Sequence, residues 1–194
     1  MDGMDEFIGR EYEQKLLRQC YDSPKSELVA VYGRRRVGKT FLIKQTFGEK
    51  FDFWFTGMYE TDRKLQLRQF SKELAKDSKK ELHDVKDWFE AFDKLQEYLL
   101  SLDKPKVLVF LDELPWMDTQ RSNFLAAFSY FWNMWSSSKT KLKLYVCGSA
   151  TTWMLDKFIG DKGGLYGRIC HAIYLEPFSL GETESFFKII KKWT

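Results

Sequence analysis

"VAVYGRRRVGKTFLIKQ", Val29 to Gln45, decides the fold. Apolar residues up to Tyr32 read as a buried strand. The strand breaks at Gly33 into a tight basic turn of Arg34, Arg35, Arg36 and Val37. Gly38, Lys39 and Thr40 follow, and a helix-like run opens at Phe41. The spacing is G-x-x-x-x-G-K-[ST] without exception, and each fixed position has a physical reason. Gly33 and Gly38 permit backbone angles that bring N–H groups close to phosphate oxygens. The helix that follows aims its positive dipole end at the same point. Lys39 can reach the outer phosphates of a nucleotide, and the Thr40 hydroxyl can ligate Mg²⁺. The whole loop from Gly33 to Phe41 is therefore the expected nucleotide cradle. Arg34, Arg35 and Arg36 have two readings: along the phosphates or against an acidic partner, or solvated on the outer side of the loop.

Further along the chain, "KVLVFLDE" is a short apolar strand that ends in Asp112 and Glu113. A carboxylate at such a strand end can hold Mg²⁺ through its water shell, and this is the role expected of Asp112. Glu113 beside it can polarise an attacking water. "KLKLYVCGSA" is another strand, closed by Ser149, a small polar residue that can face a γ-phosphate or serve as an ordinary cap. "ICHAIYLEPF" is the last strand. Arg168 precedes it and can act as an arginine sensor in cis, as a finger in trans, or as a plain ion-pair partner.

The rest of the chain fills in around these motifs. Residues 10–22 carry Tyr12, Leu16, Leu17 and Cys20 at helical spacing, and "DSPKS" breaks the chain after them. "FDFWF" (51–55) is a second strand candidate. Residues 62–81 read as an amphipathic helix with Leu65, Leu67, Phe70 and Leu74 inward. Residues 86–102 form another with Trp88, Phe89, Phe92, Leu95, Leu99 and Leu102. Residues 119–137 read as an aromatic helix whose "FLAAFSYFWNMW" is core rather than contact surface. Ser179 is a candidate N-cap for a final helix. Short apolar strands alternating with helices imply a parallel sheet covered on both faces.

Composition bounds the function. The 194 residues suffice for one domain. A net charge of +3, from 31 basic and 28 acidic residues, is too balanced to argue for nucleic acid by itself. The three cysteines (Cys20, Cys147 and Cys170) are widely spaced and show no CxxC pairing, and neither His83 nor His171 has ligand-like neighbours. This composition points to a reducing cytoplasm with no metal cage. The acidic start lacks a signal core, and "VLVFL" is far too short to cross a bilayer, so no membrane partner is expected.

"FIGRE" (7–11), "GRRRVGKT", "FLDELPW" (110–116), "CGSA" (147–150) and "LYGR" (165–168) stand in the order seen in the archaeal-type ATPases. The chain resembles that family, in the AAA+/STAND branch of the P-loop NTPases. The resemblance implies a three-layer α/β fold with a parallel five-stranded sheet in the order 5-1-4-3-2 and helices on both faces. It implies ATP or ADP with Mg²⁺ as ligands, and a switch-like ATPase. By similarity, Phe7, Ile8, Gly9 and Arg10 border the adenine and ribose, and Ser149 is the first sensor. Residues 1–178 are the expected core, with 1–27 its adenine-side segment, and 179–194 begin a helical lid that stops short. Such proteins continue into further domains, so the chain reads as a piece of a longer design. Its expected partners are nucleotide, a protein or a second copy, and DNA through a C-terminal region not included here. Two competing readings are a nucleotide-bound protein- or DNA-binding module with little hydrolysis, and a small-molecule kinase.

Overall fold

The apolar strands identified above assemble side by side in a computed structural model that describes residues 9–48, 50–81, 83–135, 138–160, 162–178 and 181. The elements run α1 (Glu11–Asp22), β1 (Glu27–Tyr32), α2 (Lys39–Phe47), β2 (Phe53–Thr56), α3 (Arg63–Ser78), α4 (Trp88–Ser101), β3 (Lys106–Asp112), α5 (Phe124–Met134), β4 (Lys141–Gly148) and β5 (His171–Tyr174). A 3₁₀ turn, Leu114–Trp116, follows β3. A helical turn, Thr151–Trp153, continues as a π-turn, Met154–Ile159, after β4. Among the described residues no helix is long and apolar enough to cross a membrane.

The sheet has five strands in the order β2-β3-β4-β1-β5, and every neighbouring pair is parallel. This is the expected order, read from the opposite edge. Side chains alternate faces along each strand. Leu28, Ala30, Val107, Val109, Leu111, Leu144 and Val146 join one core with α3, α4 and α5. Val29, Val31, Leu108, Phe110, Tyr145 and Cys147 join a second core with α1 and α2. The alternation carries Asp112 onto the α1/α2 side, beside the start of α2.

Two residues of β4 tie α1 to this second face. Lys143 is fully buried and its Nζ donates to the carbonyls of Cys20, Ser23 and Lys25 at 2.9, 2.7 and 2.5 Å. A cation here meets the negative end of the α1 dipole. Burial nonetheless lowers the Lys143 ammonium from its ordinary pKa. The Tyr145 hydroxyl donates to the Leu17 carbonyl at 2.8 Å.

The amphipathic stripes differ from their sequence reading in detail. Leu65 faces solvent, and Gln66, one turn before Phe70, takes the inward position. Its amide bonds the Met58 amide and the Met58 and Trp116 carbonyls. Tyr12 and Phe89 are exposed because they lie off the stripes of Leu17 and Cys20 and of Trp88, Phe92, Leu95 and Leu99. The aromatic helix starts at Phe124 rather than 119, after a turn in which Ser122 N–H donates to Thr119 O and Asn123 takes a left-handed conformation. It is core, as expected: Phe131 stacks on Phe92 at 5.0 Å, and Phe124 meets Trp88 edge-on at 5.0 Å. The candidate cap Ser179 lies outside the described residues, as do Phe7 and Ile8.

Candidate functional site

The loop after β1 is shaped by its two glycines. Gly33 has φ +150°, and a Cβ there would sit 2.4 Å from the Leu175 carbonyl oxygen. Gly38 has φ +91° and starts α2, which has no side-chain cap. The first-turn amides of such a helix have no intrahelical acceptor and form an anion-binding end. Lys39 is buried, and its Nζ donates to the Gly33 and Arg34 carbonyls at 3.0 and 2.9 Å. The ammonium is thereby held against the inside of the loop.

Thr40 and Asp112 meet across the gap between loop and sheet. The Thr40 hydroxyl donates to Asp112, 2.9 Å from Oδ2 and 3.1 Å from Oδ1. The Glu113 amide (2.9 Å) and the Cys147 thiol donate to Oδ1. Burial pushes the Asp112 carboxyl above the ordinary carboxylate range, while Cys147 and Thr40 pull in the opposite direction. A hydroxyl and a carboxylate beside a phosphate-ready loop are hard oxygen donors, and they fit Mg²⁺ with its retained waters.

Glu113 leaves the strand in a left-handed conformation, φ 49°. Its Oε2 accepts from the Ser149 amide at 3.0 Å and the Ser149 hydroxyl at 2.8 Å. Lys39, Thr40, Asp112, Glu113 and Ser149 therefore form one continuous group at the carboxyl ends of β1, β3 and β4. Gly57, after β2, donates its N–H to the Asp112 carbonyl, and a Cβ there would sit 2.6 Å from the Glu113 carbonyl oxygen.

The three arginines of the loop are exposed. The Arg35 guanidinium lies 5.9 Å from the ring centroids of both Tyr59 and Trp116, which are themselves 5.3 Å apart. On the other side of the loop, Arg10 is buried in a left-handed conformation and donates to the Glu176 carbonyl. It also pairs with Glu13 at 3.5 Å and lies 4.7 Å from the Phe178 ring. Gly9 accepts from the Gln14 amide at 3.4 Å. Glu176 follows Leu175, whose carbonyl abuts Gly33, so Gly9 and Arg10 adjoin the loop through residues 175–178.

Arg168 stands elsewhere. The Cys170 amide donates to Leu28 O, at the amino end of β1, and Arg168 lies there beside Lys25, Ser26, Trp132 and Lys141. Gly33 is at the other end of the strand, roughly 16 Å away at the rise of a β-strand. Of the roles left open for Arg168, a cis contact with the γ-phosphate position does not fit this separation, which no arginine side chain spans. Cys147, Gly57, Tyr59 and Trp116 were not singled out as site residues from sequence, since each enters through cross-strand or loop proximity.

A parallel sheet with a glycine loop between β1 and α2 and a carboxylate pair at the end of β3, one strand removed from β1, defines a P-loop ATPase fold. The chain belongs to the family described as an ATPase domain predominantly from Archaea, whose model matches residues 7–192. An uncharacterized protein of Methanocaldococcus jannaschii is 28% identical over 181 residues, covering 93% of this chain and 38% of the relative. Among solved structures, a Walker-type ATPase of Pyrococcus abyssi is similar with a TM-score of 0.68 at 22% identity, covering 96% of this chain and 58% of that one. The ORC2 protein of Aeropyrum pernix, solved as ADPNP and ADP complexes, is similar with a TM-score of 0.65 at 15% identity, covering 92% and 50%. At these identities the structural likeness concerns the fold. The chain spans 38% of the length of its Methanocaldococcus relative and 58% and 50% of the two structures.

Proposed function

We propose that this domain binds ATP in the Gly33–Phe41 loop and hydrolyses it slowly as a molecular switch of the AAA+/STAND kind. The observation that carries the reading is the continuous group from Lys39 through Thr40 and Asp112 to Glu113 and Ser149. Lys39 and the loop amides hold the phosphates. Thr40 and, through water, Asp112 hold Mg²⁺. The metal, when bound, neutralises charge on the outer phosphate oxygens. Ser149 fixes one oxygen of the Glu113 carboxylate, which leaves the other to orient and deprotonate water. Gly9 and Arg10 border the nucleoside side. Arg168, at the opposite end of the sheet, serves the nucleotide of a neighbouring copy.

The test is nucleotide binding by the purified chain with and without Mg²⁺, paired with phosphate release. Lys39→Ala is expected to abolish binding, and Glu113→Gln to keep binding and lose release. Release that survives in Glu113→Gln would remove that residue from the chemistry.

A further inference from the structure

We propose that Cys147 is a positioning residue for Asp112: its thiol fixes the carboxylate in the rotamer that faces Thr40. The inference rests on the nucleotide and Mg²⁺ reading above and adds a residue to it. The sheet register makes the contact. Leu111 pairs with Val146 across β3 and β4, so the next rung sets Asp112 beside Cys147. Both side chains emerge on the α1/α2 face, at the level of the first turn of α2. Cys147 is also paired with Val31 of β1, and its side chain is fully buried. A buried thiol between two strands can direct its hydrogen to few acceptors, and here it meets Asp112 Oδ1.

The need for a donor is physical. Asp112 is a buried carboxylate with no cation among its hydrogen-bond partners in the described residues. Three neutral donors hold it, and a bound Mg²⁺ would take the Thr40 hydroxyl as a ligand. The Glu113 amide holds Oδ1 from the same chain turn. The thiol holds the same oxygen from another strand, so it ties the carboxylate to the sheet. With Oδ1 engaged by Cys147 and Glu113, Oδ2 faces the Thr40 hydroxyl at 2.9 Å, and together these two oxygens would hold Mg²⁺. Cys147 is fully buried, and its thiol brings one hydrogen that can be donated. The same burial excludes oxidants, which sets this cysteine apart from reactive ones.

The experiment measures nucleotide affinity with Mg²⁺ and with EDTA for wild type, Cys147→Ala and Cys147→Ser, alongside ligand-free thermal melts. Cys147→Ala is expected to keep the metal-free affinity and to lose about threefold to tenfold of the gain that Mg²⁺ brings, the worth of one hydrogen bond. Cys147→Ser keeps a donor and is expected to retain the gain. If Cys147→Ala does not fold, the serine variant decides alone, since loss of the gain there overturns the proposal. An unchanged gain in a folded Cys147→Ala also overturns it, as does an equal loss of affinity with and without Mg²⁺. A wild type whose affinity ignores Mg²⁺ would instead remove the metal reading, and this proposal with it.

Discussion

Ser149 donates twice to a single carboxylate oxygen: its backbone N–H lies 3.0 Å and its hydroxyl 2.8 Å from Glu113 Oε2. The two residues come from different strand ends, and Glu113 is in a left-handed conformation that aims it at β4. Such a pairing fixes the direction of the free oxygen, Oε1. Ser149→Ala keeps the amide bond and loses the hydroxyl bond, so the carboxylate gains freedom without leaving the site. Turnover is expected to fall about tenfold, the equivalent of one lost hydrogen bond in the transition state. Nucleotide affinity should be unchanged. Equal turnover in variant and wild type would mean that the serine bond has no part in the reaction.

Asp112 links the proposed metal site to stability. Burial raises its carboxyl pKa above the unfolded value. A raised acid contributes stability that is fully present below the unfolded pKa and is lost as pH rises through the folded one. At neutral pH the ionised Asp112 therefore weighs against the ligand-free fold. Asp112→Asn should raise the ligand-free melting temperature at pH 7, by about 2–4 °C if the gain is near 1 kcal/mol. The advantage should shrink as the pH falls toward 3.8, the ordinary aspartate value. The same variant should lose the Mg²⁺-dependent part of nucleotide affinity. Melting curves across pH, with and without nucleotide, check both statements. A variant less stable than wild type at pH 7 would contradict the first.

Lys143 gives a prediction that concerns only the scaffold. Its ammonium closes the carboxyl end of α1 through three carbonyls. Lys143→Met keeps the length of the side chain and leaves those acceptors facing an apolar group. The expected loss is about 2–4 kcal/mol, the range for stranding buried polar partners. Urea unfolding monitored by circular dichroism should show a lower midpoint with an unchanged slope. An unshifted midpoint would show that the end of α1 is satisfied without the lysine.

That another strand separates the two motif strands was legible because the glycine loop and the carboxylate pair each mark a strand end, with one strand candidate, "FDFWF", between them; the full order came from the family resemblance. The core stripes were legible to within a residue or two. Leu65 and Phe89 were misassigned because apolar character alone does not say which of two adjacent positions faces inward. Lys143 was illegible for a related reason: in "KLKLYV" two lysines alternate with leucines, which reads as one solvated face, yet α1 covers that face. The contact of Cys147 with Asp112 requires the register of β3 against β4, which no local pattern encodes. The glycine at 57 is required by a backbone crossing, again a long-range fact. Arg168 is instructive because its place followed from the topology already deduced. In an all-parallel sheet, a residue just before one strand lies near the start of its neighbours and far from their ends.

That placement leads to the last prediction. Arg168 lies at the amino end of β1 while Lys39 lies beyond its carboxyl end, so one chain cannot bring both to one phosphate. Two copies stacked head to tail can, because the lower end of one sheet then meets the upper end of the next. A heterologous contact of this kind joins unlike surfaces and repeats along a ring or filament. Phosphate release per chain should therefore rise with protein concentration, and Arg168→Ala should remove the rise while leaving nucleotide affinity intact. Mixing supplies the sharper test. A Lys39→Ala chain cannot hold nucleotide but carries an intact Arg168, and an Arg168→Ala chain has the reverse defect. Neither should release phosphate alone above the dilute wild-type rate. Together they should recover part of it, since each nucleotide-holding site gains an arginine from its neighbour. Failure to recover, with both variants folded, would confine Arg168 to a structural contact with Trp132 and the start of β4.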